Sequence, residues 1–164
     1  MSIHETTSIN APVGKVVQAY ASEDFARHVS QQAGVQFESF SVDGDLTGPF
    51  TVTTVRSVGG DKIPGFAQKF IKNGVTLTQK DLFKAPSADG SRDVETSVTA
   101  GAVPVSANLT QKLTAEGEKT QVALEGEVKA NIPLVGKKLA QAAEPYMSKA
   151  LTLQSREAEH WINK

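Results

Sequence analysis

Four polar side chains occupy positions at which the alternation of strand residues otherwise points apolar groups inward. They are Arg56, Gln79, Asp81 and Gln111. A few polar groups inside an apolar pocket orient a ligand, and Arg56 has the charge to meet a carboxylate and the donors to meet a hydroxyl. The same residues could instead lie at strand ends that reach water, or Arg56 could pair with Asp81, because buried charges need partners. The sequence leaves these alternatives open.

Other residue types that carry chemistry are scattered or missing. The histidines His4, His28 and His160 are far apart in sequence and show no metal-ligand spacing, so we expect them at the surface. Cysteine is absent, which excludes thiolate nucleophiles, disulfides and cysteine metal sites. No glycine-rich phosphate loop and no serine nucleophile elbow is present. We therefore predict no catalytic residue, no metal site and no cofactor.

Length and charge set further bounds. The chain of 164 residues is long enough for one domain with its own core, and we assign residues 1–164 to that domain. Its 17 basic and 18 acidic residues give a net charge of −1, so no overall basic excess predicts a nucleic-acid partner. The N-terminus lacks the pattern of a signal peptide, and no apolar run is long enough to span a bilayer. We expect a cytoplasmic protein that does not insert into membranes.

Hydrophobic periodicity predicts a mainly antiparallel sheet. Ser2 to Asn10 is typical of a first strand, and the next two segments, Pro12 to Ala21 and Ser22 to Gly34, have the spacing and end signals of short helices. From Val35 to Lys129 the period is two, and short turns separate successive strands. Ile63 to Phe70 interrupts this series with helical spacing, which predicts a short inserted helix. The pattern indicates about six to seven strands with one wet face.

The end of the chain predicts the element that covers the sheet. From Leu134 to Trp161 the apolar residues recur on one stripe of a long helix. A sheet that buries one face needs a cover, and this is the longest predicted helix. We therefore predict an α+β fold in which a curved antiparallel sheet carries the C-terminal helix across its concave face. Because a cylinder does not fill a trough, this arrangement leaves volume between helix and sheet.

Three segments resemble the START-like, or SRPBCC, superfamily, which has the helix-grip fold. They are Ile9-Asn10-Ala11-Pro12-Val13-Gly14-Lys15-Val16, the stretch from Val55 to Phe70 with Asp61-Lys62-Ile63-Pro64-Gly65-Phe66-Ala67, and Val128 to Leu139. The last two resemble an uncharacterised bacterial family within that superfamily. The resemblance spans nearly the whole chain and implies the helix-grip fold. It does not fix a function, because the superfamily includes polyketide cyclases, plant pathogenesis-related allergens and lipid-transfer domains.

The predicted function is the non-catalytic binding or transport of a small hydrophobic molecule between the sheet and the last helix. The strand residues that face inward and the apolar stripe of the last helix give the expected lining of that cavity, although the same residues could simply pack on one another. The expected lining is Phe37, Phe50, Val52, Arg56, Phe66, Phe70, Leu77, Gln79, Asp81, Phe83, Val98, Leu109, Leu124, Tyr146, Met147 and Leu151.

Two alternatives remain. The first is a cyclase-like, aromatase-like or hydratase-like enzyme on a hydrophobic substrate, for which Arg56, Asp81 and Tyr146 are the candidate acid and base groups. The second is a protein interaction module with a filled core and an exposed apolar patch. In addition, Phe66 and Phe70 could form a lid over a pocket mouth, or could complete the core instead.

Overall fold

A computed structural model describes residues 2–63, 65–69, 71, 73–101 and 103–164, with residue 66 described by its backbone alone. Two 3₁₀ turns, Gly60–Lys62 and Gly65–Ala67, lie between the third and fourth strands. The strands and α-helices of the described part are β1 (Ile3–Ile9), α1 (Val13–Tyr20), α2 (Glu23–Ala33), β2 (Gln36–Gly44), β3 (Phe50–Val58), β4 (Val75–Phe83), β5 (Arg92–Ala100), β6 (Val103–Glu116), β7 (Lys119–Ala130) and α3 (Gly136–Ile162).

Within the described residues, the strands form one seven-stranded sheet in the order β1-β7-β6-β5-β4-β3-β2. Every neighbouring pair is antiparallel. The register of β2 against β3 shifts between Phe37 and Ser39, so β2 contains a β-bulge at this point. The α+β helix-grip architecture predicted from the sequence is therefore confirmed.

Burial along the strands follows the alternation expected for a sheet with one wet face. In β5, every second residue from Arg92 to Ala100 is buried, and the residues between them are exposed or half-buried. In β6, Ala107, Leu109, Gln111 and Leu113 are buried, while Asn108, Thr110 and Lys112 between them face water. One face of the sheet therefore lies against the core and the other against solvent.

The two N-terminal helices begin and end where the sequence signals place them. The Ser22 side chain accepts a hydrogen bond from the Phe25 backbone N–H and caps α2. Gly34 ends that helix with φ 73°, a left-handed conformation that favours glycine. The Phe25 ring lies between Tyr20 and Trp161, at centroid distances of 6.0 and 5.8 Å, and so joins both short helices to the end of α3.

The segment after β3 differs from its prediction. A helix was expected over Ile63 to Phe70, but the described residues there form 3₁₀ turns. Ile63 is extended, with φ −74° and ψ 128°, because the residue before a proline is pushed out of the helical region. Gly65 follows and is a poor helix former. Phe70 lies outside the described residues, as does the side chain of Phe66, so the lid stays a prediction.

Helix α3 crosses the concave face of the sheet, as predicted. It contacts β1 and β7 along the strands and α1 and α2 beside them. Its buried face includes Leu139, Leu151 and Ala158. The helix starts very close to the end of β7, since a Cβ atom added at Gly136 would collide with the carbonyl oxygen of Ala130. This glycine therefore fixes how closely the N-terminal end of α3 approaches the sheet.

Candidate functional site

A cavity of about 440 Å³ lies between the sheet and the part of α3 that runs from Leu139 to Leu153. It occupies the end of the sheet at which β3, β5 and β7 finish and β4 and β6 begin, and we name this the cavity end. Its sheet wall includes Val58, Val75, Leu77, Val98, Val105 and Val128. Its helix wall includes Leu139, Ala143, Met147, Ala150 and Leu153, and the segment after β3 contributes Ile63, Ala67 and Ile71.

The cavity opens to solvent beside α3. Tyr146 lines it while keeping 55% of its surface exposed, so this ring lies where the cavity meets water. Lys62 and Lys149 also line the cavity and are exposed. The walls are aliphatic and the mouth carries cations and a phenol, an arrangement typical of a site for an amphipathic molecule.

The opposite end of the interior is filled, and we name it the packed end. Here the Phe50 and Phe83 rings stack at a centroid distance of 4.4 Å with an interplanar angle of 8°. Its other large side chains, Val94, Leu113, Val122 and Leu124, are at most 1% exposed. The concave face therefore divides into a close-packed region and an open one.

A line of polar side chains runs between these two regions, and we name it the polar stripe. It consists of Arg56, Gln79, Asp81, Thr96 and Gln111. The Arg56 Nη1–H donates to Gln79 Oε1 at 3.2 Å, and Gln79 Nε2 donates to the two Asp81 oxygens at 3.0 and 3.3 Å. The Thr96 hydroxyl donates to Asp81 Oδ1 at 2.6 Å and accepts from Gln111 Nε2 at 2.7 Å.

These bonds and the burial of the stripe address two of the alternatives left open by the sequence, the position at strand ends and the direct pairing of Arg56 with Asp81. Gln111 and Asp81 are 2% and 5% exposed, so neither lies at a strand end that reaches water. The direct pair of Arg56 with Asp81 is not formed, because Gln79 bridges them. Arg56 also donates from Nε to the Ser30 hydroxyl at 2.7 Å, which ties the stripe to α2.

The stripe begins beside the cavity. Across the β3–β4 ladder Arg56 is paired with Leu77, and across the β4–β5 ladder Gln79 is paired with Val98. Directly paired residues project from the same face of a sheet, and both Leu77 and Val98 line the cavity. The guanidinium and the amide are therefore next to the cavity wall, whereas Asp81 lies deeper, toward the packed end.

Burial controls the ionisation of the stripe. Desolvation raises the pKa of Asp81 to about 6, against the opposing effects of hydrogen bonds from Thr96 and Gln79 and of the Arg56 charge. Desolvation also lowers the pKa of Arg56, and the Asp81 charge partly offsets this. Both charged groups are thus held at an energetic cost that hydrogen bonding only partly compensates.

Helix α3 contributes polar groups that sequence reasoning missed. Gln154 Oε1 accepts from Gln79 Nε2 at 3.4 Å, and the hydroxyls of Ser155 and Tyr20 are 3.3 Å apart. Burial raises the pKa of the Tyr20 phenol. Gln154 follows Leu151 by three residues and Ala150 by four, so helical spacing contains the signal that would have found it. Thr96 likewise lies on the inward parity of β5 between Val94 and Val98.

The residues predicted to line one cavity fall into several groups. Four of them line it, three belong to the polar stripe, and six are buried side chains that do not line it. Phe37 lies apart from the cavity, with its ring centroid 4.3 Å from the Arg27 guanidinium carbon. The residues that line the cavity are Leu77, Val98, Tyr146 and Met147. Those of the polar stripe are Arg56, Gln79 and Asp81. The buried side chains that do not line the cavity are Phe50, Val52, Phe83, Leu109, Leu124 and Leu151. Ligand contact by any of them stays a prediction.

The histidines bond to carboxylates away from the cavity wall. His28 Nε2 is 2.7 Å from Glu157 Oε1, and His160 Nδ1 is 3.5 Å from the other oxygen of the same carboxylate. His4 lies 3.6 Å from Glu125. Within the part of the chain that the structure describes, no cluster of three or more His, Cys, Asp or Glu side chains has the arrangement of a metal site.

Among the helices of the described residues, none combines the length and the apolar character that crossing a membrane requires.

Solved structures share this fold over almost the whole chain. The protein TTHA0849 from Thermus thermophilus matches with a TM-score of 0.61 and 13% identity over 99% of this chain and 97% of that one. A START superfamily protein from Mycobacterium smegmatis matches with a TM-score of 0.58 and 8% identity over 98% of each chain. The Zhui aromatase/cyclase from a Streptomyces species matches with a TM-score of 0.54 and 16% identity over 97% of this chain and 93% of that one.

The seven-stranded sheet with the long helix across it is the helix-grip fold that these solved structures share. Identities this low establish the fold alone. The sequence model of the family described as "Protein of unknown function (DUF2505)" matches residues 4–162, so the chain belongs to that family. Among curated proteins, none matches this chain in sequence.

Proposed function

We propose that this protein binds a small hydrophobic molecule non-covalently in the cavity between the sheet and α3. The observation that carries the proposal is the open space of about 440 Å³ beneath α3 in a molecule whose other end is close-packed. Protein interiors seldom leave such volume empty, and ligand pockets commonly measure about 300 to 1,000 Å³. Aliphatic walls favour a ligand through the apolar area that it buries.

The polar stripe supports a ligand with one polar end. Arg56 and Gln79 lie beside the cavity residues Leu77 and Val98. A guanidinium bonds carboxylates and hydroxyls well in a region of low dielectric constant. The ligand class that fits best is therefore an aliphatic or polycyclic molecule with a single carboxylate or hydroxyl.

Binding without catalysis fits the geometry better than the enzyme alternative. Asp81 accepts hydrogen bonds from Gln79 and Thr96 on its two oxygens and lies beyond the cavity wall. Tyr146 projects from α3 at the solvent-exposed mouth. A general acid or base has to reach the reacting group, and Asp81 is instead committed to holding the stripe together. The interaction-module alternative required a filled interior, which the cavity argues against. A cytoplasmic location stays a prediction.

The test fills the cavity and measures binding of the fluorescent probe anilinonaphthalene sulfonate. Ala143→Phe places a ring in the helix wall, and Ala88→Phe adds the same ring to an exposed loop as the matched control. We expect saturable binding to the wild type and to Ala88→Phe, and an affinity at least roughly tenfold weaker for Ala143→Phe. Thermal unfolding verifies that each variant is folded. Equal affinity in all three proteins, or no saturable binding, would overturn the proposal.

A further inference from the structure

The turn between β7 and α3 lies at the cavity end of the molecule. β7 finishes at Ala130, two residues after the cavity residue Val128, and Leu139 in the first turns of α3 lines the cavity again. The intervening residues 131–135 therefore project from the same end as the cavity.

Leu134 in this turn is a fully exposed leucine in a left-handed conformation. Its φ is 72°, and it is the one non-glycine residue with positive φ in the described part of the chain. Non-glycine residues avoid this region unless the surroundings compensate, and an exposed side chain gains no packing within its own chain. Val135 beside it is 38% exposed. The two side chains form an apolar tip that the chain itself does not cover.

Four exposed lysines lie at the cavity mouth or at the start of α3. Lys62 and Lys149 line the cavity, while Lys137 and Lys138 lie in the first turn of α3, and all four are exposed. None of them forms an ion pair with a carboxylate of the described residues. The segments 59–63 and 131–149, which hold these four lysines, contain two acidic residues, Asp61 and Glu144. The cavity end therefore keeps a local excess of positive charge in a protein whose net charge is −1.

The lysines of α3 also oppose the helix dipole. A helix N-terminus favours acidic residues, yet the first turn of α3 contains none and carries Lys137 and Lys138 instead. The exposed leucine therefore leaves apolar area in water, and the two lysines repel the positive end of the helix dipole. A surface that offers negative charge above an apolar layer relieves both at once.

We propose that the cavity end docks on the surface of a bilayer that contains anionic lipids. Leu134 and Val135 enter the boundary between headgroups and acyl chains, and the four lysines contact the lipid phosphates and carboxylates. Lysine stems follow the apolar boundary while their ammonium groups stay in the headgroup layer. The association is peripheral and adds no membrane-spanning segment.

Docking in this orientation turns the cavity mouth toward the lipids. This consequence rests on the proposed binding function, because a hydrophobic ligand would then pass between membrane and cavity with little exposure to water. The docking surface itself needs no ligand, so docking and probe binding fail or succeed independently.

The experiment is cosedimentation with vesicles of equal amounts of phosphatidylcholine and phosphatidylserine, compared with vesicles of phosphatidylcholine alone. The variants are Leu134→Asp and the double variant Lys137→Glu/Lys138→Glu. Leu82→Asp and Lys80→Glu/Lys112→Glu are the matched controls, because these exposed side chains lie on the wet face of the sheet. We expect the wild type and both controls to bind the anionic vesicles. Each test variant should bind at least roughly tenfold more weakly than the wild type, since each lysine near such a surface contributes about fivefold in affinity.

Equal partition of the wild type onto the two vesicle types would overturn the proposal, and so would variants that bind as their controls do. A wild-type dimer that Leu134→Asp converts to a monomer would also overturn it, because a second copy would then cover the tip. Probe binding in solution, measured on the same samples, separates a failed docking surface from an absent ligand site. Leu134 is fully exposed, so Leu134→Asp is expected to melt as the wild type does.

Discussion

The packed end and the cavity end use the same inward alternation but side chains of different size. At the packed end Phe50 and Phe83 stack, and large residues from the neighbouring strands surround them. At the cavity end the inward positions hold valines and small residues such as Ala100 and Ala107, and α3 faces them with Ala143 and Ala150. The difference shows that alternation decides which face is buried, whereas side-chain volume decides whether the space under the helix is filled.

The largest expected effect is at the packed end. Phe83→Ala removes a ring that is 1% exposed and leaves Phe50 without its stacking partner. We expect a loss of about 3–5 kcal/mol in the free energy of unfolding, because close-packed neighbours collapse only partly into the space. Urea denaturation measures this loss. A loss well below about 2 kcal/mol would mean that the packed end is as loose as the cavity end.

The polar stripe between the two ends gives the next effect, which depends on pH. Because the folded-state pKa of Asp81 is raised to about 6, protonation favours the folded state. The stability due to protonated Asp81 is full below pH 3.8 and is lost as pH rises through about 6. In Asp81→Asn this loss is absent.

Between about pH 4 and pH 7 the stability of Asp81→Asn should therefore rise relative to the wild type by about 2 kcal/mol. Unfolding of both proteins across this range is the measurement, and taking the difference cancels the other carboxylates. A difference that does not change with pH would show that Asp81 is not buried as described.

The smallest effect comes from adding volume at the two ends. Ala107 is buried and lines the cavity, so Ala107→Leu projects into open space and should change stability by less than about 1 kcal/mol. Val94 is 1% exposed at the packed end, and Val94→Phe should cost about 1–3 kcal/mol through overpacking. Thermal and urea unfolding compare the two. Equal losses would indicate that both ends are filled.

Local signals in the sequence were enough for most of the fold. Strand parity placed the inward faces correctly, and Ser22 and Gly34 marked the ends of α2. Failure occurred where two signals competed. The spacing of apolar residues around Ile63 favoured a helix, but the following proline kept this residue extended and 3₁₀ turns formed instead.

The site was less accessible from the sequence because it depends on contacts between distant segments. The alternation of strand residues predicted that Arg56, Gln79 and Asp81 face inward. The register of β3 against β4 is needed to show that Gln79 bridges Arg56 and Asp81. The cavity also depends on which small residues of the sheet face which small residues of α3. The lysines of the cavity end are spread along the chain, and a net charge near zero hid their local excess.

Methyl NMR during titration with anilinonaphthalene sulfonate tests the central claim most directly, because it reports both ends of the molecule in one experiment. Leu77, Val98 and Met147 line the cavity, whereas Leu113 and Leu124 lie at the packed end. We predict saturable shifts of the first three methyl sets and none of the last two. Shifts confined to the packed end, or no saturable shift at the cavity residues, would contradict the existence of an open binding cavity beneath α3.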